Sequence, residues 1–252
     1  MNLKGDEPVP NIKPLASDAK QEIELDLLNR MNGHLLARRE GDSQIEAVRR
    51  SYHTAKVMQT SVPEIMDISA ESQATLELYG VGDPGCDEFA KACLMAWKIS
   101  ESGVRYIQLS AGNWDHHGGL KENIKRDSTQ VDRPIAGLLA DLKQRNLLDE
   151  TLVVWGGEFG RGHHSSSADG RDHNHKGFSM WMAGGGAKGG FAYGATDELG
   201  IHAVSGRMHT NDMHATMLHL LGIDHERLTY SYSGREFRLT DLGGVVAKDI
   251  VA

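Results

Sequence analysis

A chain of 252 residues with 39% hydrophobic content can bury one sizeable core, and its formal net charge of -8 excludes the basic footprint that a phosphate-backbone binder needs. No stretch nears the roughly 18 apolar residues of a membrane span, and no basic region followed by an apolar core opens the chain; as written it is expected to be soluble and cytoplasmic. Cys86 and Cys93 sit in one helical stretch about 10 Å apart by helical rise, too far to pair, so cysteine supplies no disulfide framework.

Residues 1–16 hold three of the six prolines and show no period, so they read as an extended arm before a single α/β domain over 17–252. Leu25, Leu28, Met31 and Leu35 repeat at helical spacing from a start near Ser17 to a stop around Gly41. A second helix opens with Ser43 and Glu46 in capping-box spacing and carries Ile45, Val48, Tyr52, Ala55 and Met58 on one face. Together they predict a helical hairpin over 17–62 packed on the main body. After Pro63 come a short helix over 70–79, a turn cluster over 80–85, and a helix over 87–102 with Phe89, Cys93, Ala96 and Trp97 inward.

Residues 104–109, rich in β-branched and aromatic side chains, predict a strand. A helix over 131–145 and a strand over 151–155 follow, and the alternation predicts a mostly parallel sheet covered on both faces. Beyond a strand over 178–182, the run Gly184-Gly185-Gly186-Ala187-Lys188-Gly189-Gly190 lacks the ending and the following helix of a phosphate loop and reads as a turn. A helix over 212–221 stopped by Gly222, a short strand near 235–239 and a small terminal helix complete the chain.

Acids and histidines concentrate in three clusters beside these strands, within a core predicted over 103–222. They are Asn113-Trp114-Asp115-His116-His117, Gly156-Gly157-Glu158-Phe159-Gly160-Arg161 and Gly170-Arg171-Asp172-His173-Asn174-His175. Alternate residues past a strand end can point the same way, so Asp115 and His117 can reach one ion while His116 faces away. Glu158 follows two glycines that let the backbone approach a ligand closely, and Arg161 can pin a carboxylate or hold a planar oxyanion. The expectation is a divalent-metal site from Asp115, His117, Glu158, Asp172, His173 and His175, with Arg161 as the catalytic cation. The mixed oxygen and nitrogen donors without thiolate leave zinc, manganese or calcium open. Such an ion can polarise a phosphoryl or sulfuryl oxygen, or acidify a bound water, which points to ester hydrolysis. His163 and His164 are weaker candidates in a serine-rich loop. His214 and His219 read as lining or capping a helix, and Asp212 as a helix-start residue.

Asp115-His116-His117, Val131-Asp132-Arg133-Pro134-Ile135, Gly157-Glu158-Phe159-Gly160-Arg161, Gly170-Arg171-Asp172-His173, Tyr193-Gly194-Ala195-Thr196 and Asp212-Met213-His214-Ala215-Thr216, in this order, resemble the bacterial family called domain of unknown function 1501. The resemblance covers most of residues 45–250. That family in turn resembles the alkaline-phosphatase superfamily, which includes sulfatases, and this implies an α/β/α sandwich and a metal-dependent sulfatase- or phosphoesterase-like hydrolase acting on a small-molecule or glycan ester. The superfamily often has an Asp-His pair where this chain has Glu158-Phe159. Its nucleophile follows an N-terminal strand bearing an Asp, and residues 1–100 hold no such unit. The chain is therefore expected to be the C-terminal part of a longer, exported or periplasmic protein. A non-catalytic binding or scaffold protein that keeps the fold is the alternative.

Overall fold

The computed structural model describes residues 12–39, 42–167 and 169–252; most of the arm expected over 1–16 lies outside them. Helices α1 (Asp18–Arg38) and α2 (Ser43–Met66) form a hairpin in which α2 also touches α4. The N-cap of α2 is Asp42 rather than Ser43, with its carboxylate accepting from the amides of Gln44 and Ile45. No residue of α1 is buried, and Ile23, Leu27 and Met31 are exposed.

The core lies where α3 (Gln73–Tyr79), α4 (Asp87–Glu101) and α5 (Leu120–Gln144) meet, around Tyr79, Phe89, Leu94, Trp97, Val131 and Leu142. Helices α3 and α5 come close because Gly137 has no side chain. A Cβ there would lie 2.8 Å from the Leu78 carbonyl oxygen and 2.9 Å from the Tyr79 Cα. Helix α5 begins eleven residues before the predicted 131. Its buried stripe runs through Asp127, Val131, Pro134, Gly137 and Asp141, so few apolar residues announce it.

The expected α/β/α sandwich with a mostly parallel sheet is overturned. Every sheet among the described residues is a two-stranded antiparallel pair. Strand β1 (Val153–Trp155) pairs with β4 (Trp181–Ala183), and between them β2 (Gly160–Arg161) pairs with β3 (His173–Asn174), giving one nested hairpin. Strand β5 (Ala195–Thr196) pairs with β6 (Ala203–Ser205), and after α6 (Thr210–Leu220) β7 (Thr229–Tyr232) pairs with β8 (Arg235–Arg238).

The reason for the error is specific. Residues 104–109 have strand-like composition and line the same cleft as β1, but form no strand, and no backbone hydrogen bond joins them to β1 among the described residues. Without that ladder no crossover βαβ unit forms among the described residues, and the alternation of helix with β-rich sequence carries no parallel sheet there. No described helix is long and apolar enough to cross a membrane.

Candidate functional site

The nested hairpin delivers two of the three clusters. In the antiparallel register Arg161 lies directly opposite His173, so both side chains leave the same face. Gly160 makes the pairing possible, since a Cβ there would fall 2.7 Å from both the Gly177 carbonyl oxygen and the Phe178 Cβ. The Phe159 ring covers the His173 imidazole with centroids 4.2 Å apart.

Backbone amides and one serine hydroxyl tie the first cluster and the residues after it to the segment that leads into the third. The Arg171 amide donates to the His116 carbonyl at 2.9 Å, the Leu120 amide donates to the Asp169 carbonyl at 2.9 Å, and the Ser167 hydroxyl donates to the His117 carbonyl. Gly170 abuts the His117 carbonyl so closely that any side chain would collide with it.

These connections bring Asp115, His117 and His173 together, with one donor atom from each within 4.8 Å of the others. A single oxygen, Asp115 Oδ1, is the focus. It lies 2.7 Å from Arg161 Nη2, 2.9 Å from His173 Nε2 and 3.1 Å from His117 Nδ1. The hydrogen bond from His173, followed by that from Arg161, pushes the Asp115 carboxyl down to about 2. The other Arg161 nitrogen, Nη1, donates to the Arg171 carbonyl at 3.3 Å. All three converging side chains are about half exposed, so the group sits at an open surface.

The remaining candidates are elsewhere. The Asp172 carboxylate accepts from the Ser166 amide at 3.0 Å and the Ser166 hydroxyl at 3.4 Å, which turns it into the serine loop. Glu158 and His175 are exposed and outside the converging group. His175 follows Asn174, which is buried and donates to the carbonyls of Gly177, Gly200 and Ile201. His163 and His164 pack on each other, with ring centroids 4.1 Å apart. His209, rather than His214 or His219, caps α6, in a capping box with Asp212.

Sequence reasoning missed the support behind the first cluster. His116 is buried, and its Nε2 meets Asp127 Oδ2 at 2.7 Å; Arg126 donates to both Asp127 oxygens, at 2.7 and 3.1 Å. Asp127 carried no signal because it lies in the polar first half of α5. Its partner is eleven residues away, which is no helical spacing.

One carboxylate and two imidazoles suit a borderline divalent cation such as zinc or manganese. They suit calcium poorly, because calcium takes six to eight oxygens. The family model described as protein of unknown function (DUF1501) matches residues 4–251 of the chain. No curated protein and no solved structure matches it.

Proposed function

The chain belongs to the DUF1501 family, and on that premise we propose that it is a divalent-metal-dependent hydrolase of phosphate or sulfate esters, with the sulfatase-like ancestry that its motifs resemble. The observation that supports this most is the convergence of Asp115 and His117, from one loop, and His173, from strand β3, onto one open position beside Arg161. When bound, the cation supplies Lewis-acid polarisation of an ester oxygen and lowers the pKa of a bound water. Asp115 offers an anionic oxygen, and His117 and His173 offer neutral ring nitrogens. Phe159 fixes the His173 ring by stacking. Arg161 can leave Asp115 for the anionic group of the substrate, since a guanidinium matches phosphate or sulfate by paired hydrogen bonds.

The second reading is a non-catalytic binding or scaffold protein. It is favoured by the fact that Asp115 already has hydrogen bonds from His173 and Arg161, with His117 Nδ1 3.1 Å from the same oxygen. Elemental analysis of the purified chain, joined to a screen of aryl phosphate and aryl sulfate esters with added zinc or manganese, separates the two. Stoichiometric metal with turnover is the expected result. Metal without turnover selects the binding role, and no metal under any loading condition removes the hydrolase. Iron in place of zinc or manganese would redirect the reading to oxygen chemistry, because two imidazoles and one carboxylate also suit ferrous iron.

A further inference from the structure

Asp115 and His117 flank a side chain that turns inward. His116 is 5% exposed and Asp127 2%, and their ring nitrogen and carboxylate oxygen are 2.7 Å apart. An ionised carboxylate only accepts, so His116 Nε2 carries the shared proton. Arg126, more than half exposed, closes over Asp127 from outside. Its Nη1 also donates at 2.9 Å to Asn123 Oδ1, and the Asn123 amide nitrogen donates at 3.0 Å to the Gly118 carbonyl, so the 115–117 turn is tied to the first turns of α5 at its centre and just past its end. The His116 carbonyl accepts the Arg171 amide, two residues before His173.

We propose that the buried His116–Asp127 pair, clamped by Arg126, is a positioning device for the cation site: it holds Asp115 and His117 on the open side of their loop and, through the His116 carbonyl, holds His173 within reach of both. The proposal rests on the cation reading above. The geometry supports a role beyond stability, because burying a charged, hydrogen-bonded carboxylate usually stabilises a fold no more than apolar residues of the same volume. What it adds is direction. With His116 pinned inward by a charge-assisted bond, its two neighbours are turned toward the opposite side. Asp127 is kept ionised for this by the Arg126 hydrogen bond and, more weakly, by that from His116, against the opposing effect of burial.

The test uses the full chain and Co²⁺ alone as the probe, reading affinity and the visible absorption of the bound ion. Asp127→Asn and His116→Ala are expected to weaken Co²⁺ binding about 10- to 100-fold and to change its spectrum, as loss of support behind metal ligands does. His116→Gln, whose amide nitrogen can still donate to Asp127, is expected to recover most of the affinity. Arg126→Ala removes only the outer half of the clamp, should give a smaller loss, and serves if Asp127→Asn does not fold. Asp141→Asn is the control, a second buried carboxylate on α5 remote from the cluster, expected to lower stability and leave Co²⁺ affinity unchanged. The proposal is overturned if Asp127→Asn and His116→Ala bind within about two-fold of the unaltered chain with the same spectrum, or if Asp141→Asn weakens binding as much as they do. Failure of the unaltered chain to take up Co²⁺ would instead overturn the cation reading, and this role with it.

Discussion

Replacing Tyr79 by Phe tests the contact that locks α3 to α5. Tyr79 is fully buried, its Cα sits against Gly137, and its hydroxyl donates at 2.9 Å to Asp141 Oδ2, one helical turn further along α5. Burial first, and then the negative charge of Asp141, push the phenol far above its ordinary range, so it remains a protonated donor. The substitution keeps the ring and deletes one donor to a carboxylate that is 4% exposed. A hydrogen bond to a charged group contributes about 1.5–3 kcal/mol net. The larger penalty of an unpaired buried charge, about 3–5 kcal/mol, does not apply, because Arg145 Nε still donates to the other Asp141 oxygen at 2.7 Å. The expected loss is therefore about 2 kcal/mol, or about 4–8 °C in Tm for a chain of this size. Urea unfolding with an unchanged m value measures it, and a double-mutant cycle with Asp141→Asn isolates the pair. A loss below about 0.5 kcal/mol, or strictly additive single effects, would mean that this hydrogen bond does not lock α3 to α5.

Gly137→Ala sets helix propensity, worth up to about 1 kcal/mol in favour of alanine, against overpacking at about 1–3 kcal/mol. The obstructing atoms are backbone and cannot swing aside, so net destabilisation of about 1–2 kcal/mol is expected in the same urea assay. At the site, Asp115→Asn and His173→Ala should lower bound metal in elemental analysis. Arg161→Ala should retain metal while raising the KM for an anionic ester, because the guanidinium shares Oδ1 rather than donating a ligand atom. Burial pushes the Cys93 thiol up to about 12 from an ordinary 9.0. An acid raised on folding leaves stability intact below the unfolded pKa and removes it as pH climbs toward the folded one. The Cys93 contribution to unfolding free energy should thus fall between about pH 9 and 12 by about 1.4 kcal/mol per unit, and the slope should be shallower in Cys93→Ala. Amides at 105–110, which have no backbone partner among the described residues, should exchange hydrogen at nearly unprotected rates while α5 stays protected. Equal protection in both would show that 104–109 is paired after all.

The contrast between α4 and α5 shows what can be read from a linear pattern. Helix α4 buries Phe89, Ala90, Ala92, Cys93, Leu94, Met95, Ala96 and Trp97, so its apolar character marks it and its predicted span is nearly the observed one. The inward stripe of α5 includes Asp127, Gly137 and Asp141, each facing a partner on another element, and a hydrophobicity pattern is blind to partners. Residues 104–109 fail in the opposite way. Val104, Tyr106, Ile107 and Leu109 suit a pleated surface, but a strand exists only if another backbone supplies its donors and acceptors, and that information is not local. At the site, alternation in Asp115-His116-His117 was enough to separate the two outward residues from the inward one. Nothing local could show that Ser166 occupies the Asp172 carboxylate.

What decides the composition of the cluster is register. Side chains directly opposite in an antiparallel pair share a face, and a slip of one residue sends each to the other face. With Arg161 opposite His173, Arg161 and His173 reach Asp115 together. Had β3 slipped by one, Asp172 or Asn174 would take the place of His173, and the second imidazole would be lost from the group. Two features oppose the slip. Asn174 is held inward by three carbonyl acceptors from Gly177, Gly200 and Ile201, and Gly160 is seated where only a residue without Cβ fits against Gly177 and Phe178. A strand pair only two residues long has too few ladder bonds to fix its own alignment, so the alignment is set by these neighbours. The position of His173 therefore depends on residues outside the group it forms with Asp115 and His117.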